Sequence, residues 1–216
     1  MNKLFIVVFA LLLSGSANSQ IKALTEDGRE VVLFENGTWK FKSDSINTTS
    51  ATSTDTIVTN PNSYKKTTAA SFLIKSKIFN VGVYMNPEKW TYSLPKPNET
   101  TPEYRFFAKS QNGYAMMLTE KTEIPLEKWP YIALINAQKA AMDAQIVKSE
   151  YRTVNGVSLV CVQLKGTIQG IKFVYLGYYY SNKNGSVQFL TYTSESLFEQ
   201  SKKELEDFLN GFIVTP

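Results

Sequence analysis

Residues 151–194, YRTVNGVSLVCVQLKGTIQGIKFVYLGYYYSNKNGSVQFLTYTS, leave the chain few ways to fold. β-branched and aromatic side chains fill the stretch, and three reversal signals divide it: Asn155-Gly156, Gln169-Gly170 and Asn184-Gly185. Asn-Gly favours tight hairpins because both central turn positions need positive φ. Three reversals among about four strands predict an antiparallel meander, because two-residue turns join only antiparallel neighbours. Within it, Phe173, Tyr175 and Tyr179 share one strand face, while Val174, Leu176, Tyr178 and Tyr180 share the other. Both faces are apolar, which predicts a central strand covered on both sides. The tyrosines read as sheet core with hydroxyls reaching the surface; a sugar or peptide platform is the competing reading.

Other segments supply partners for this sheet. Residues 80–85 read as a strand ended by Pro87, with Trp90 following, because proline cannot donate to the ladder. Residues 94–102 read as a loop, and 104–108 and 114–119 as a hairpin around Gln111-Asn112-Gly113. From Pro130 to Gln145 the apolar period changes from strand to helix, with Asn136, Lys139 and Asp143 on a narrow polar stripe. A second helix is expected near the end, opened by a Ser196/Glu199 capping box and stopped at Asn210-Gly211.

The start of the chain is different. Lys3, the apolar run from Leu4 to Leu13 and the small residues Ala17 and Ser19 form the pattern of a cleaved export signal, residues 1–19. That run is about half the ~20 residues needed to span a bilayer, so no transmembrane anchor is expected, and cleavage near Ser19 implies a periplasmic or secreted protein. Residues 20–42 form three short β runs split by Asp27-Gly28 and Asn36-Gly37, a small β meander resembling the V-L-x-x-D/N-G-T-W-x-Y/F segment of exported bacterial proteins. Residues 43–63, with Ser or Thr at 11 of 21 positions, read as a disordered linker. Within it, Asp44-Ser45-Ile46 and Asp55-Thr56-Ile57 resemble bacterial O-glycosylation sites of the Bacteroidetes type, with Ser45 and Thr56 as acceptors. Residues 64–216 form the main domain.

Composition closes several functional classes. The chain has no histidine, which removes histidine-based triads, histidine-ligated zinc and imidazole switches. No calcium loop or phosphate-cradling glycine motif occurs, so neither metal nor cofactor is expected. A net charge of +4 is too mild to imply nucleic acid. The lone Cys161 cannot form an internal disulfide and reads as a small buried hydrophobe. For catalysis there remain Glu120, Glu123 and Glu127, flanked by Lys121 and Lys128, whose adjacency does not set two carboxylates at a glycosidase distance; Glu120 and Lys121 read as a solvated strand end. The candidate binding residues are Trp90, Trp129 and Tyr131, at element ends where clefts form, together with Trp39.

The order of strand with Pro-x-x-Trp, hairpin, helix, meander and terminal helix resembles the PsbP-like fold. That fold is the α/β/α sandwich of the photosystem II extrinsic subunit and of a Ran-binding nuclear import factor. The resemblance covers about residues 78–214. It is carried by Val83-Tyr84-Met85-Asn86-Pro87 with Trp90, by Val154-Asn155-Gly156 and by Phe208-Leu209-Asn210-Gly211-Phe212. It implies an α+β architecture, a central antiparallel sheet with helices packed on it, preceded by the small β meander. It also implies a non-enzymatic accessory or binding protein, with no Ran-binding or photosystem-binding residue carried over. The expectation is an exported binding or assembly module whose partner is an envelope or extracellular protein or a glycan. The alternatives are a histidine-free carboxylate hydrolase of glycans and a cell-wall adhesin.

Overall fold

The computed structural model describes residues 21–24, 30–33, 39–41, 57–96 and 102–216. The chain divides into two compact units, Met1–Ala51 and Thr52–Pro216. In the first, β1 (Ile21–Leu24), β2 (Glu30–Leu33) and β3 (Trp39–Phe41) form an antiparallel sheet in sequential order. Val31 is its buried residue among those described, opposite Ala23 on one side and Phe41 on the other. The small meander is therefore present. The export signal, Ser45 and Thr56 lie outside the described residues.

The second unit is built on an eight-stranded sheet in the order β4-β10-β11-β12-β13-β9-β8-β7. Its centre is the expected meander: β10 (Gln145–Val154), β11 (Val157–Ile168), β12 (Ile171–Asn182) and β13 (Gly185–Ser194). The first two turns need the left-handed backbone: Asn155 and Gly156 have φ of 49° and 83°, and Gln169 and Gly170 have 50° and 80°. The hairpin β8 (Tyr104–Ala108) and β9 (Tyr114–Glu120) joins through β9 to β13, and β7 (Trp90–Ser93) closes that edge.

The opposite edge departs from expectation. Residues 58–63, read as the end of the linker, belong with Tyr64 to strand β4 (Val58–Tyr64), which pairs with β10 in parallel, so the sheet is mixed. Its sequence, VTNPNSY, carries little apolar surface; as an edge strand it needs none, and Pro61 is tolerated there.

A second sheet, β14-β6-β5, is formed by β5 (Phe72–Lys75), β6 (Val81–Met85) and the closing strand β14 (Phe212–Val214). Together with helix α2 (Glu195–Leu209) it buries one face of the large sheet in a core containing Phe106, Leu176, Tyr178, Phe189, Leu205 and Phe208. The other face is covered by helix α1 (Trp129–Gln138), over β10 and β11, and by the 3₁₀ turn Leu126–Lys128, over β11 and β12, around Trp129, Val160, Val162 and Tyr179. Adjacent residues Tyr178 and Tyr179 thus lie buried in opposite layers, as a doubly covered central strand requires.

Both helices differ from expectation in detail. The first stops at Gln138, because Lys139 caps it and the Ala137 carbonyl accepts N–H bonds from both Ala140 and Ala141, turning the chain toward β10. Alanine-rich composition alone prolongs the helical pattern past that turn. In the second, no capping box forms; Ser194 is the N-cap, without a side-chain cap bond, and β13 runs straight into the helix.

Candidate binding cleft

Because α1 packs mainly over β11 and β10, part of the same face of β12, β13 and β9 borders an open space. The result is a cleft of about 380 Å³. Its floor consists of alternate residues on three neighbouring strands: Met116 and Leu118, Gln188 and Leu190, Tyr175 and Tyr179. Its wall is Ala133 and Ala137 of α1, continued by Ala140, Ala141 and Ala144 of the turn that follows. Alanine gives the cleft its volume, since any larger side chain at these positions would occupy it. At Gly166 a Cβ would sit 3.0 Å from the Ala141 Cβ and 3.2 Å from the Ala144 Cα, so the turn rests directly on β11 and seals that wall.

One end of the floor carries a rung of rings. Tyr175, Tyr192 and Tyr114 are direct cross-strand partners. Their centroids are 5.3 and 5.4 Å apart, with interplanar angles of 30° and 21°. Phe107 extends the rung edge-on to Tyr114 at 6.3 Å. Burial raises the Tyr175 and Tyr192 phenols above their ordinary value, and neighbouring phenols add to the rise at Tyr192, so both stay neutral. The rings stack on one another, which leaves edges and hydroxyls, rather than open ring faces, for a ligand.

The residues singled out from the sequence are not brought together. Trp90 is 2% exposed and stacks on Phe208 at 4.1 Å, while Trp129 is 1% exposed and tilts against Tyr179 at 5.1 Å. They belong to the cores on opposite sides of the sheet. Tyr131 is partly exposed on α1. Trp39 lies in β3 of the other unit, and its side chain is outside the described residues. The cleft residues passed unnoticed because alanines in one helix and alternate residues in three strands acquire meaning only once packed.

The carboxylates do not converge on the cleft. Glu120 lines it, while Glu123 and Glu127 are exposed on the connection to α1. A separate polar depression of about 190 Å³ holds Asp143, Thr167, Lys172 and Glu195. There the Thr167 hydroxyl and backbone N–H hold Asp143 below its usual range, and Lys172 lies 4.0 Å from Glu195. A glycosidic acid needs the opposite shift. Cys161 is buried, and its thiol is pushed up to about 12 by that burial, so it stays protonated. Among the described residues no group of three His, Cys, Asp or Glu side chains is placed to hold a metal ion. No described helix is long and apolar enough to cross a membrane.

No known family profile and no curated protein matches the sequence. Several solved structures do. The chain is similar to the cyanobacterial PsbP (CyanoP) of Synechocystis, at 14% identity over 67% of this chain and 93% of that one, with a TM-score of 0.49. It is also similar to a protein of unknown function from Pseudomonas aeruginosa, at 9% identity over 67% of this chain and 97% of that one, with a TM-score of 0.43. A third is LpqN, involved in cell envelope biogenesis in Mycobacterium tuberculosis, at 12% identity over 67% of this chain and 90% of that one, with a TM-score of 0.36.

Proposed function

We propose that the protein is an exported binding or accessory module whose main domain takes an elongated apolar ligand between α1 and strands β9, β13 and β12. The observation that carries this reading is the cleft itself. Its volume of about 380 Å³ falls in the range of small-molecule sites, ~300–1,000 Å³, and its lining is mainly apolar with a few polar groups, Glu120, Asn136 and Gln188, at which a ligand can be oriented. Export rests on the signal-like residues 1–19. In the same reading residues 20–42 form a separate small β unit on a Ser/Thr-rich tether that carries O-glycans at Ser45 and Thr56. Intact mass of natively secreted protein equal to the peptide mass would remove the glycans from this account.

Fluorescence of phenylnaphthylamine, a neutral apolar probe, tests the cleft. The wild-type chain is expected to enhance it saturably, and Ala137→Trp, which places an indole in the cleft, to abolish the enhancement while thermal unfolding stays within a few degrees. A probe response that survives Ala137→Trp, or no response from wild type, refutes the reading. Hydrolysis of a polysaccharide that disappears with Glu120→Gln would restore a carboxylate enzyme in its place.

A further inference from the structure

We infer that the cleft receives the acyl chain of an anionic lipid, taken up while one end of the sheet stands on a lipid surface. This rests on the cleft reading above and names its ligand class. Three observations lead there.

The first is what the cleft can satisfy. β12, β13 and β9 are interior strands, each paired on both sides, and α1 uses its own backbone groups internally. A peptide laid in the cleft would bring amide groups that the floor cannot pair, at a cost for each one. A polymethylene chain brings none, and it suits a floor of Met116, Leu118 and Leu190 facing alanines.

The second is the end of the cleft bounded by Ile168 and Ala144. The β11–β12 turn and the α1–β10 turn lie side by side there: the Thr167 N–H donates to Asp143 at 2.8 Å, and Ile168 pairs with Ile171. On these turns and the adjoining bulge of β10, Met142 is 93% exposed, Ile171 54% and Val147 49%. Loop tips normally carry polar residues, so three large apolar side chains held in water at one end mark a surface that leaves water in use. Ile168 and Ala144, which line the cleft, belong to the same two turns.

The third is charge. Lys165 and Lys172 line the polar depression here together with Asp143 and Glu195, with Lys139 at the end of α1 and Lys148 beside the β10 bulge. Asp143 is engaged by Thr167, Glu195 lies beside Lys172, and Lys148 is paired with Glu150. Lys139, whose ammonium donates to the Asn136 amide oxygen at 3.0 Å, and Lys165 have no carboxylate partner among the described residues, which leaves their charge to meet an anionic headgroup. Lysines flanking an apolar tip are the pattern of an interfacial contact, with aliphatic stems near the acyl boundary and ammonium groups among the headgroups.

The test uses the full mature chain in two assays. One is flotation with phosphatidylcholine vesicles, with and without phosphatidylglycerol; the other is fluorescence of dansylundecanoic acid as a free acyl probe. The wild type should float with the phosphatidylglycerol vesicles, less so at high salt, and should bind the free probe saturably. The Met142→Asp/Ile171→Asp double variant should lose at least about tenfold in vesicle partitioning yet bind the free probe as wild type does. Ala137→Trp should do the reverse. Probe binding without flotation of the wild type overturns the lipid surface as the source and leaves the cleft reading standing. Flotation without probe binding overturns the acyl chain as the ligand. Phenylnaphthylamine binding alone, with neither of the other two, overturns the whole inference but not the cleft, and failure of all three removes both.

Discussion

Replacing Arg152 by Met isolates the most expensive interaction in the main domain. Arg152 and Glu150 are 6% and 5% exposed, and the arginine Nε donates to Glu150 at 2.6 Å. Nη1 donates to the Tyr178 hydroxyl at 3.2 Å and lies 3.5 Å from Glu206, and the guanidinium sits 4.6 Å from the Tyr64 ring centroid. Methionine matches the stem but leaves Glu150 buried, with only the half-exposed Lys148 at 2.8 Å as a charged partner. Breaking a buried pair from one side costs roughly 3–5 kcal/mol. For a domain of this size that is a drop of roughly 10 °C in Tm.

The loss should depend on pH. Burial works to raise the Glu150 carboxyl, but hydrogen bonds from Lys148, Arg152 and Asn60 outweigh it and hold the group below its ordinary value. A depressed carboxyl contributes stability that is present above its ordinary range and is lost as pH falls through the folded-state value. The gap between wild type and Arg152→Met should therefore be widest at neutral pH and close in acid, as the carboxyl protonates first in the variant and then in the wild type. Urea unfolding followed by tryptophan fluorescence across that range measures it. Glu150→Gln combined with Arg152→Met should recover at least half of the loss, since no unpaired charge remains. A single-variant loss below about 1 kcal/mol, or one equal at neutral and acid pH, refutes the argument.

Three further outcomes are expected. Asn155→Gly keeps the positive φ of the turn but removes the side-chain bonds to the carbonyls of Asn210 and Phe212 and from the Lys66 N–H, so urea unfolding should show a loss of about 2–4 kcal/mol. Gly211→Ala drives a methyl into the Tyr84 carbonyl and should lower Tm well below that of Gly170→Ala, where a methyl meets nothing within 4 Å and only the φ of 80° is strained. Cys161 should not react with an aromatic disulfide reagent at pH 8 until denaturant is added, because the thiol is buried and its value stands at about 12.

How much of this was legible in the sequence depended on range. Turns governed by backbone sterics were: Asn155-Gly156 and Gln169-Gly170 reverse the chain as their residue types require. Parity within a long strand was legible too, since Tyr178 and Tyr179 had to face opposite layers. Strand β4 was not, because an edge strand needs no hydrophobic alternation and VTNPNSY has the composition of a linker. Trp90 and Trp129 suggested a site because large rings at element ends so often line clefts, yet each filled a core instead. The cleft was illegible for the converse reason: it is defined by what the alanines of α1 do not fill.

Asn155 carries a consequence for the order of assembly. Its side-chain NH₂ donates to the carbonyls of Asn210 and Phe212, which flank Gly211, while its side-chain oxygen Oδ1 accepts from the Lys66 N–H just after β4. One side chain in a hairpin turn thus clasps the beginning of the domain to its end, and β14 completes the small sheet only by pairing with β6, far upstream. Contacts of such sequence separation form late and slowly. In refolding the meander is therefore expected to form before the clasp closes and the small sheet is completed. Residues 64–66 and 210–214 are accordingly expected to gain hydrogen-exchange protection after strands β10 to β13.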